Sequence, residues 1–174
     1  MNFRQIIWCC MLFSCISLSA QQKQKGNATI NIPGAGKELQ CSFEYDYSLA
    51  DSTRVLDGIL NINGSRNEDG VNENFSLQGY ATKGRLDGAI NSTYSLEGKM
   101  NDEKHYISFI YNATFKNGLP HGETKINSFG QKSSAYDVKM NFNEGVLTGN
   151  FKFNAFLKEE TSISGAFTNE GKMN

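Results

Sequence analysis

From Leu39 to Leu49 the chain alternates without a break. Leu39, Cys41, Phe43, Tyr45, Tyr47 and Leu49 are apolar or aromatic, and Gln40, Ser42, Glu44, Asp46 and Ser48 between them are polar. A period of two puts successive side chains on opposite faces of a strand, so this segment predicts a half-buried β-strand with Cys41 on its buried face. The pattern returns at Leu56 to Ile62, Phe75 to Ala81, Leu86 to Leu96 and Ile107 to Phe115. Further on it returns at Tyr136 to Phe142, Leu147 to Leu157 and Ile163 to Phe167, and it is weaker between Gly122 and Phe129, where Ile126 is the clearest inward residue. Past the first twenty residues no window of ten or more carries an apolar stripe of helical period. Nine strands follow, with a tenth opening at the C-terminus, and the fold class expected is all-β.

Between the strands a short phrase recurs: Lys83-Gly84-Arg85-Leu86-Asp87-Gly88, Asn117-Gly118-Leu119-Pro120-His121-Gly122, Glu144-Gly145-Val146-Leu147-Thr148-Gly149 and Glu170-Gly171-Lys172-Met173-Asn174. A looser copy, Arg54-Val55-Leu56-Asp57-Gly58, precedes them, with Arg54 in the place of the first glycine; counted from that place (54, 84, 118, 145 and 171), successive copies start 30, 34, 27 and 26 residues apart. That spacing suits a two-strand unit and is too long for a single strand. The first glycine supplies positive φ at a tight reversal, and the Leu or Met two residues on opens the next strand facing the core. The second glycine is expected to leave room for close approach of a neighbour. Pro120 cannot donate to a ladder, so its strand is expected to start late, at His121 or Gly122. Gly64, Asp69 and Gly70 read as turn residues of a lengthened hairpin.

The unit best seen in Tyr111-Asn112-Ala113-Thr114-Phe115-Lys116-Asn117-Gly118-Leu119-Pro120-His121-Gly122-Glu123 resembles the MORN repeat in its bacterial form, over Val55 to Asn174. The tryptophan and the Tyr-x-Gly opening of such repeats are absent here, and the spacing is longer than the usual period. The resemblance implies an elongated, twisted antiparallel sheet that binds proteins or acts as a scaffold, and a secreted protein with no assigned chemistry. Together with the alternation it predicts a curved antiparallel meander of nine or ten strands. A closed up-and-down barrel of lipocalin type, holding a small apolar ligand, is the alternative, since eight to ten alternating strands with an aromatic face also suit a cup. Scattered Phe and Tyr positions form no two girdles, which argues against an outer-membrane barrel.

Composition fixes the compartment more than the chemistry. Arg4, an apolar run from Ile6 to Leu18 and the small site Leu18-Ser19-Ala20 make residues 1–20 a secretory signal peptide, with cleavage after Ala20 and the bond after Ser19 as competitor. The run is shorter than the roughly 20 residues that span a bilayer, so no membrane span is expected in the mature chain. Leu12-Phe13-Ser14-Cys15 resembles a lipobox, which makes lipidation at Cys15 the alternative to a freely exported protein. Export to a bacterial periplasm, outer membrane or extracellular space is expected. Cleavage removes Cys9, Cys10 and Cys15, leaving Cys41 alone, so no intramolecular disulfide can form. The mature chain of 154 residues carries 16 basic against 18 acidic residues, with no basic stripe for nucleic acid. Residues 21–38, polar with Pro33-Gly34-Ala35-Gly36, read as a mobile leader, and 39–174 as the repeat-built domain. The last phrase stops at Asn174, one residue short of its glycine, after an inward Met173. The chain is therefore expected either to continue in its natural gene or to leave the strand with Ile163, Gly165 and Phe167 as an exposed edge open to dimerisation.

Catalytic groupings are missing. His105 and His121 are the two histidines, and His121 before Gly122 reads as a turn residue. No spacing of His, Cys and carboxylate suits a metal, although Asn63 to Gly70 faintly suggests a calcium loop, against which stand Arg66 and the lack of a bidentate Glu at the twelfth position. No Gly-x-Ser-x-Gly elbow appears. Glu44, Asp46 and Asp57 fall on the polar face, where solvation is the expected role. Asn-x-Ser/Thr sequons at Asn27, Asn63, Asn74, Asn91 and Asn112 read as chance in an asparagine-rich bacterial chain. No catalytic, cofactor-binding or metal residue is assigned, and the binding residues stay open. The expected function is a non-catalytic exported binding or scaffold module for a protein or glycan, with the apolar-ligand barrel as its alternative. N-terminal sequencing of exported material by mass spectrometry should find Gln21, or else Ala20, at the N-terminus, and a lipidated Cys15 there would overturn the soluble reading.

Overall fold

A computed structural model describes residues 22–31, 38–100, 102–130, 135–156 and 160–173. The signal peptide, the lipobox, the Pro33-Gly34-Ala35-Gly36 stretch and Leu157 lie outside the described residues. The described chain forms one open antiparallel sheet. Its strands are β1 (Gln22–Asn31), β2 (Glu38–Ala50), β3 (Thr53–Glu68), β4 (Val71–Thr82), β5 (Arg85–Leu86) and β6 (Gly88–Met100). They continue as β7 (Glu103–Lys116), β8 (Leu119–Pro120), β9 (Gly122–Gly130), β10 (Ala135–Asn143), β11 (Val146–Phe156) and β12 (Glu160–Phe167). The spatial order β1-β2-β3-β4-β6-β7-β9-β10-β11-β12 follows the chain, with β5 on β4 and β8 on β7. This is the curved meander. Because β1 and β12 are the two ends of that path and do not pair, the barrel alternative does not hold.

The reversals have the chemistry the phrase predicts. Asp51-Ser52, Asp69-Gly70, Lys83-Gly84, Asn117-Gly118 and Glu144-Gly145 each place two successive residues at positive φ, between 49° and 86°. Two such residues make the type I′ turn, whose twist matches that of the flanking strands. Three of these turns also lock onto the preceding copy of the phrase. The N–H groups of Gly84, Gly118 and Gly145 donate to the carbonyls of Leu56 (2.7 Å), Leu86 (2.8 Å) and Pro120 (2.8 Å). Pro120 thus loses no ladder bond that matters, because its carbonyl does the pairing. Leu119 and Pro120 still face Lys116 and Phe115 of β7 before β9 starts at Gly122, the late start expected.

The second glycine of the phrase plays a different part from the one expected. Gly58, Gly88, Gly122 and Gly149 all lie at positive φ, between 67° and 125°. A Cβ at Gly88 or Gly122 would meet nothing within 4 Å, so no neighbour approaches there. What happens instead is a slip in register. Tyr45 to Tyr47 of β2 is matched against Leu60 to Leu56 of β3, and Lys139 to Asn141 of β10 against Lys152 to Thr148 of β11. On β4 the partner steps from Leu86 opposite Ala81 to Asn91 opposite Gln78, and on β7 from Pro120 opposite Phe115 to Lys125 opposite Asn112. In these four copies the strand after the turn gains two residues. Such bulges bend the strand and sharpen its twist, which supplies the curvature. Close approach is the work of other glycines, such as Gly165, which lies directly under the ring of Phe151.

A two-residue slip leaves side-chain parity intact, so one mainly apolar face runs from β2 to β12. One transverse row on it runs Phe43, Ile62, Leu77, Ser92, Tyr111, Ile126, Val138, Phe153 and Ile163. No second layer of described residues covers it, and aromatic rings shield one another instead. Tyr94 stacks on Phe109 with centroids 6.4 Å apart, Tyr136 on Phe153 at 5.9 Å, and Phe151 meets Phe167 at 5.3 Å. Leu39, Cys41, Ala81, Ile90, Ala113 and Ala155 are fully buried.

Three expectations need correction. The polar stretch read as a leader is strand β1 over Gln22–Asn31, paired along its whole length with β2. It holds through main-chain bonds and fit: Gly26 lies under Phe43, and Gln22 accepts from the Tyr47 hydroxyl at 2.6 Å. Gly64 is no turn residue but sits in mid-strand opposite Cys41, and only Asp69-Gly70 turns. Met173 is bridged to Phe167 yet 68% exposed, so it is not an inward residue.

The two kinds of glycine should separate in denaturant titrations. Gly122→Ala is expected to cost about 1–2 kcal/mol, the strain of an L-residue at positive φ, and Gly122→Asn to recover part of it. A Gly122→Ala protein as stable as the parent would mean that the register slip does not depend on the glycine.

Candidate functional site

The parity that gathers apolar residues on one face gathers amides, hydroxyls and charges on the other, and the register aligns them in rungs. One rung crosses all ten long strands. It begins Asn27, Ser42, Asn63, Ser76 and Thr93, passes the apolar Ile110, and ends Asn127, Asp137, Asn154 and Ser162. Its members bond to one another. Ser76 and Thr93 hydroxyls lie 2.6 Å apart, Asn127 Nδ2 donates to Asp137 Oδ1 at 3.1 Å, and Ser162 Oγ donates to Asn154 Oδ1 at 2.9 Å. The neighbouring rung starts Lys25, Glu44, Asn61 and Gln78, continues through Asn91 and Asn112, and finishes Lys125, Lys139, Lys152 and Ser164.

Over β1 to β6 this face is hollowed into two open troughs of about 650 and 560 Å³. Asn27, Glu44, Asn61 and Gln78 line the first, Gln40, Ser65, Asn74 and Thr93 the second, and Ser42 and Asn63 belong to both. Amide groups both donate and accept, so the floor can satisfy a polar ligand from many directions. Tyr80, Tyr106 and Phe129 share this face and are exposed. On the opposite face a smaller apolar groove of about 340 Å³ lies over Ala28, Phe43, Tyr45, Leu56, Leu60 and Ile62, with Arg54 at its side. It too is open to solvent.

The five sequon asparagines, Asn27, Asn63, Asn74, Asn91 and Asn112, all fall on the polar face, and the first four are exposed. His121 sits in the turn stack, where its Nδ1 accepts the Glu144 N–H at 3.4 Å, while His105 is half-buried opposite Gly98 on the apolar face. Cys41 is buried as expected, and burial pushes its thiol pKa up, away from reactivity. Asn63 to Glu68 continues β3 as extended strand, so no calcium loop forms, and no group of three His, Cys, Asp or Glu gathers among the described residues. Glu44 does lie at the surface, paired with Lys23 and Lys25 at 3.0 Å, and the hydrogen bond from Lys23 holds its pKa below the usual range. Asp46 departs from its expected role of plain solvation. It is buried at the β2–β3 bulge, where its Oδ2 accepts the Ile59 N–H at 3.1 Å. Asp57 accepts the Lys83 N–H at 3.3 Å and so ties one copy of the phrase to the next.

One constellation escaped the sequence reading. Glu73 is 1% exposed, on the apolar face, with Arg66 Nη2 on one carboxylate oxygen and the Tyr94 hydroxyl 2.8 Å from the other. The signal was present: Glu73 is in phase with Phe75 and Leu77, and Arg66 with Ile62 and Gly64. Register then places Arg66 opposite Glu73. A carboxylate so held is spoken for, and the trio serves as a polar clasp between β3, β4 and β6. Burial first, then the hydrogen bond to Glu73 and its charge, push the Tyr94 pKa up to about 12.

The protonated phenol therefore binds its proton more tightly in the folded protein than in the unfolded chain. Its stabilising contribution is whole below about pH 10 and drains away as pH rises toward about 12. Tyr94→Phe should cost about 1–3 kcal/mol at neutral pH, and the gap between variant and parent in urea titrations should narrow across that alkaline window. A gap independent of pH would show that the hydroxyl is not held by Glu73. Compared with protein-family models, with curated proteins and with solved structures, the chain matches none.

Proposed function

We propose that this chain is a non-catalytic protein of the bacterial envelope or extracellular space, exported by its leader, whose polar sheet face binds a glycan or a protein. The observation that carries the reading is the pair of contiguous troughs, floored by amides and hydroxyls and joined through Ser42 and Asn63. They are wide and open where a site for a small molecule is closed and mostly apolar, which favours an extended polar ligand. The resemblance of the repeated phrase to bacterial MORN repeats supports the same role, a sheet whose face is a contact surface. Carboxylates with visible roles are in ion pairs or structural bonds, at Glu44, Asp46, Asp57 and Glu73, and this supports binding over hydrolysis.

Asn63 lines both troughs and is exposed, so Asn63→Arg fills them without touching the apolar face. On an array of neutral and acidic glycans, and in cross-linking to envelope proteins, the parent should show retained partners and Asn63→Arg should lose them by about tenfold or more. Retention that Asn63→Arg leaves unchanged would place the contact surface elsewhere.

A further inference from the structure

The rung next to the Asn63 row carries a charge pattern that the fold does not need. Lys125, Lys139 and Lys152 stand directly opposite one another on β9, β10 and β11. Like charges so placed repel and destabilise a sheet. Glu123 forms an ion pair with Lys125, but among the described residues neither Lys139 nor Lys152 has an ion-pair partner, and both are exposed. The same rung reaches these lysines from the troughs through Asn61, Gln78, Asn91 and Asn112, one amide per strand.

We propose that this rung binds a linear, carboxylate-bearing polysaccharide laid across the strands, with its acidic units over Lys125, Lys139 and Lys152 and its hydroxyls over the amides. The inference rests on the reading of the polar face as a binding surface and names its ligand class. Two features fit. Neighbouring strands are about 4.8 Å apart, close to the length that one sugar unit adds to an extended polysaccharide, so successive units meet successive strands. Amides donate to and accept from hydroxyls, and each ammonium offers three donors to carboxylates, so the side chains along the rung change as the ligand's groups would require. The ligand's charge also removes the repulsion that the empty rung carries.

The test uses the exported, processed protein and three probes: polygalacturonate, its carboxyl-reduced neutral form, and polyglutamate, which has the charge without the sugar. Polygalacturonate should bind at least about tenfold more tightly than either control, and its affinity should fall with added salt as screening grows. Lys139→Gln with Lys152→Gln should bring it down to the level of the neutral polymer while melting at the parent's temperature or above, and the corresponding arginine pair should keep affinity. Asn61→Ala with Gln78→Ala should also weaken binding. Equal binding of polyglutamate would overturn the glycan half, and indifference to the glutamine pair the lysine half. A glutamine pair that melts below the parent would overturn the proposal as well, because the lysines would then be holding the sheet together. Binding of the neutral polymer alone, lost in Asn63→Arg, would sink the acidic ligand and leave the polar face as the binding surface.

Discussion

Side-chain parity is the constraint on which this sheet depends. A single layer of strands keeps an apolar and a polar face only if every strand enters the ladder in the same phase, since a slip of one residue exchanges the faces. Among the described residues the ladder slips four times, and each slip is of two residues. The geometry that allows it is a glycine at positive φ, at Gly58, Gly88, Gly122 and Gly149. The bulge thus bends the sheet without mixing its faces, so curvature and amphipathicity come from one device.

With no helix and no second sheet over the described residues, the apolar face has to be made stable from within. Stacked rings on adjacent strands and glycines beneath them, as Gly165 beneath Phe151, bring side chains into contact along the sheet. The Arg66–Glu73–Tyr94 clasp adds a directional element to a face otherwise held by non-directional burial. Breaking such a pair by removing one partner leaves a buried charge uncompensated, which makes the clasp a marker of correct pairing between β3 and β4.

Much of this was legible in the sequence. Alternation located the strands, and Asn-Gly and its relatives located the turns, because both signals are local. What stayed hidden depends on neighbours across the sheet. β1 has no alternation, since Gln22 and Gln24 face the same side as Gly26 and Ala28, and it is a strand because β2 offers it a ladder. Asp46 reads as an ordinary outward carboxylate until the bulge leaves the Ile59 N–H for it to accept. The lysine rung is invisible in the chain, where Lys125, Lys139 and Lys152 are spaced 14 and 13 residues apart with nothing to link them. Only the register, set by the intervening turns and bulges, makes them adjacent.

The turn stack carries a consequence for how such a protein can change over time. Three of the phrases grip the one before, through the N–H groups of Gly84, Gly118 and Gly145, and ask nothing of phrases further away. A phrase with its two strands is therefore a module that duplication can insert or deletion can remove, the new neighbours closing on each other through the same bond. Every insertion would widen the sheet by two strands, about 10 Å, and lengthen every transverse rung by two side chains. Selection on such a chain could set the length of its contact surface by counting copies, with the residues in each rung left free to vary.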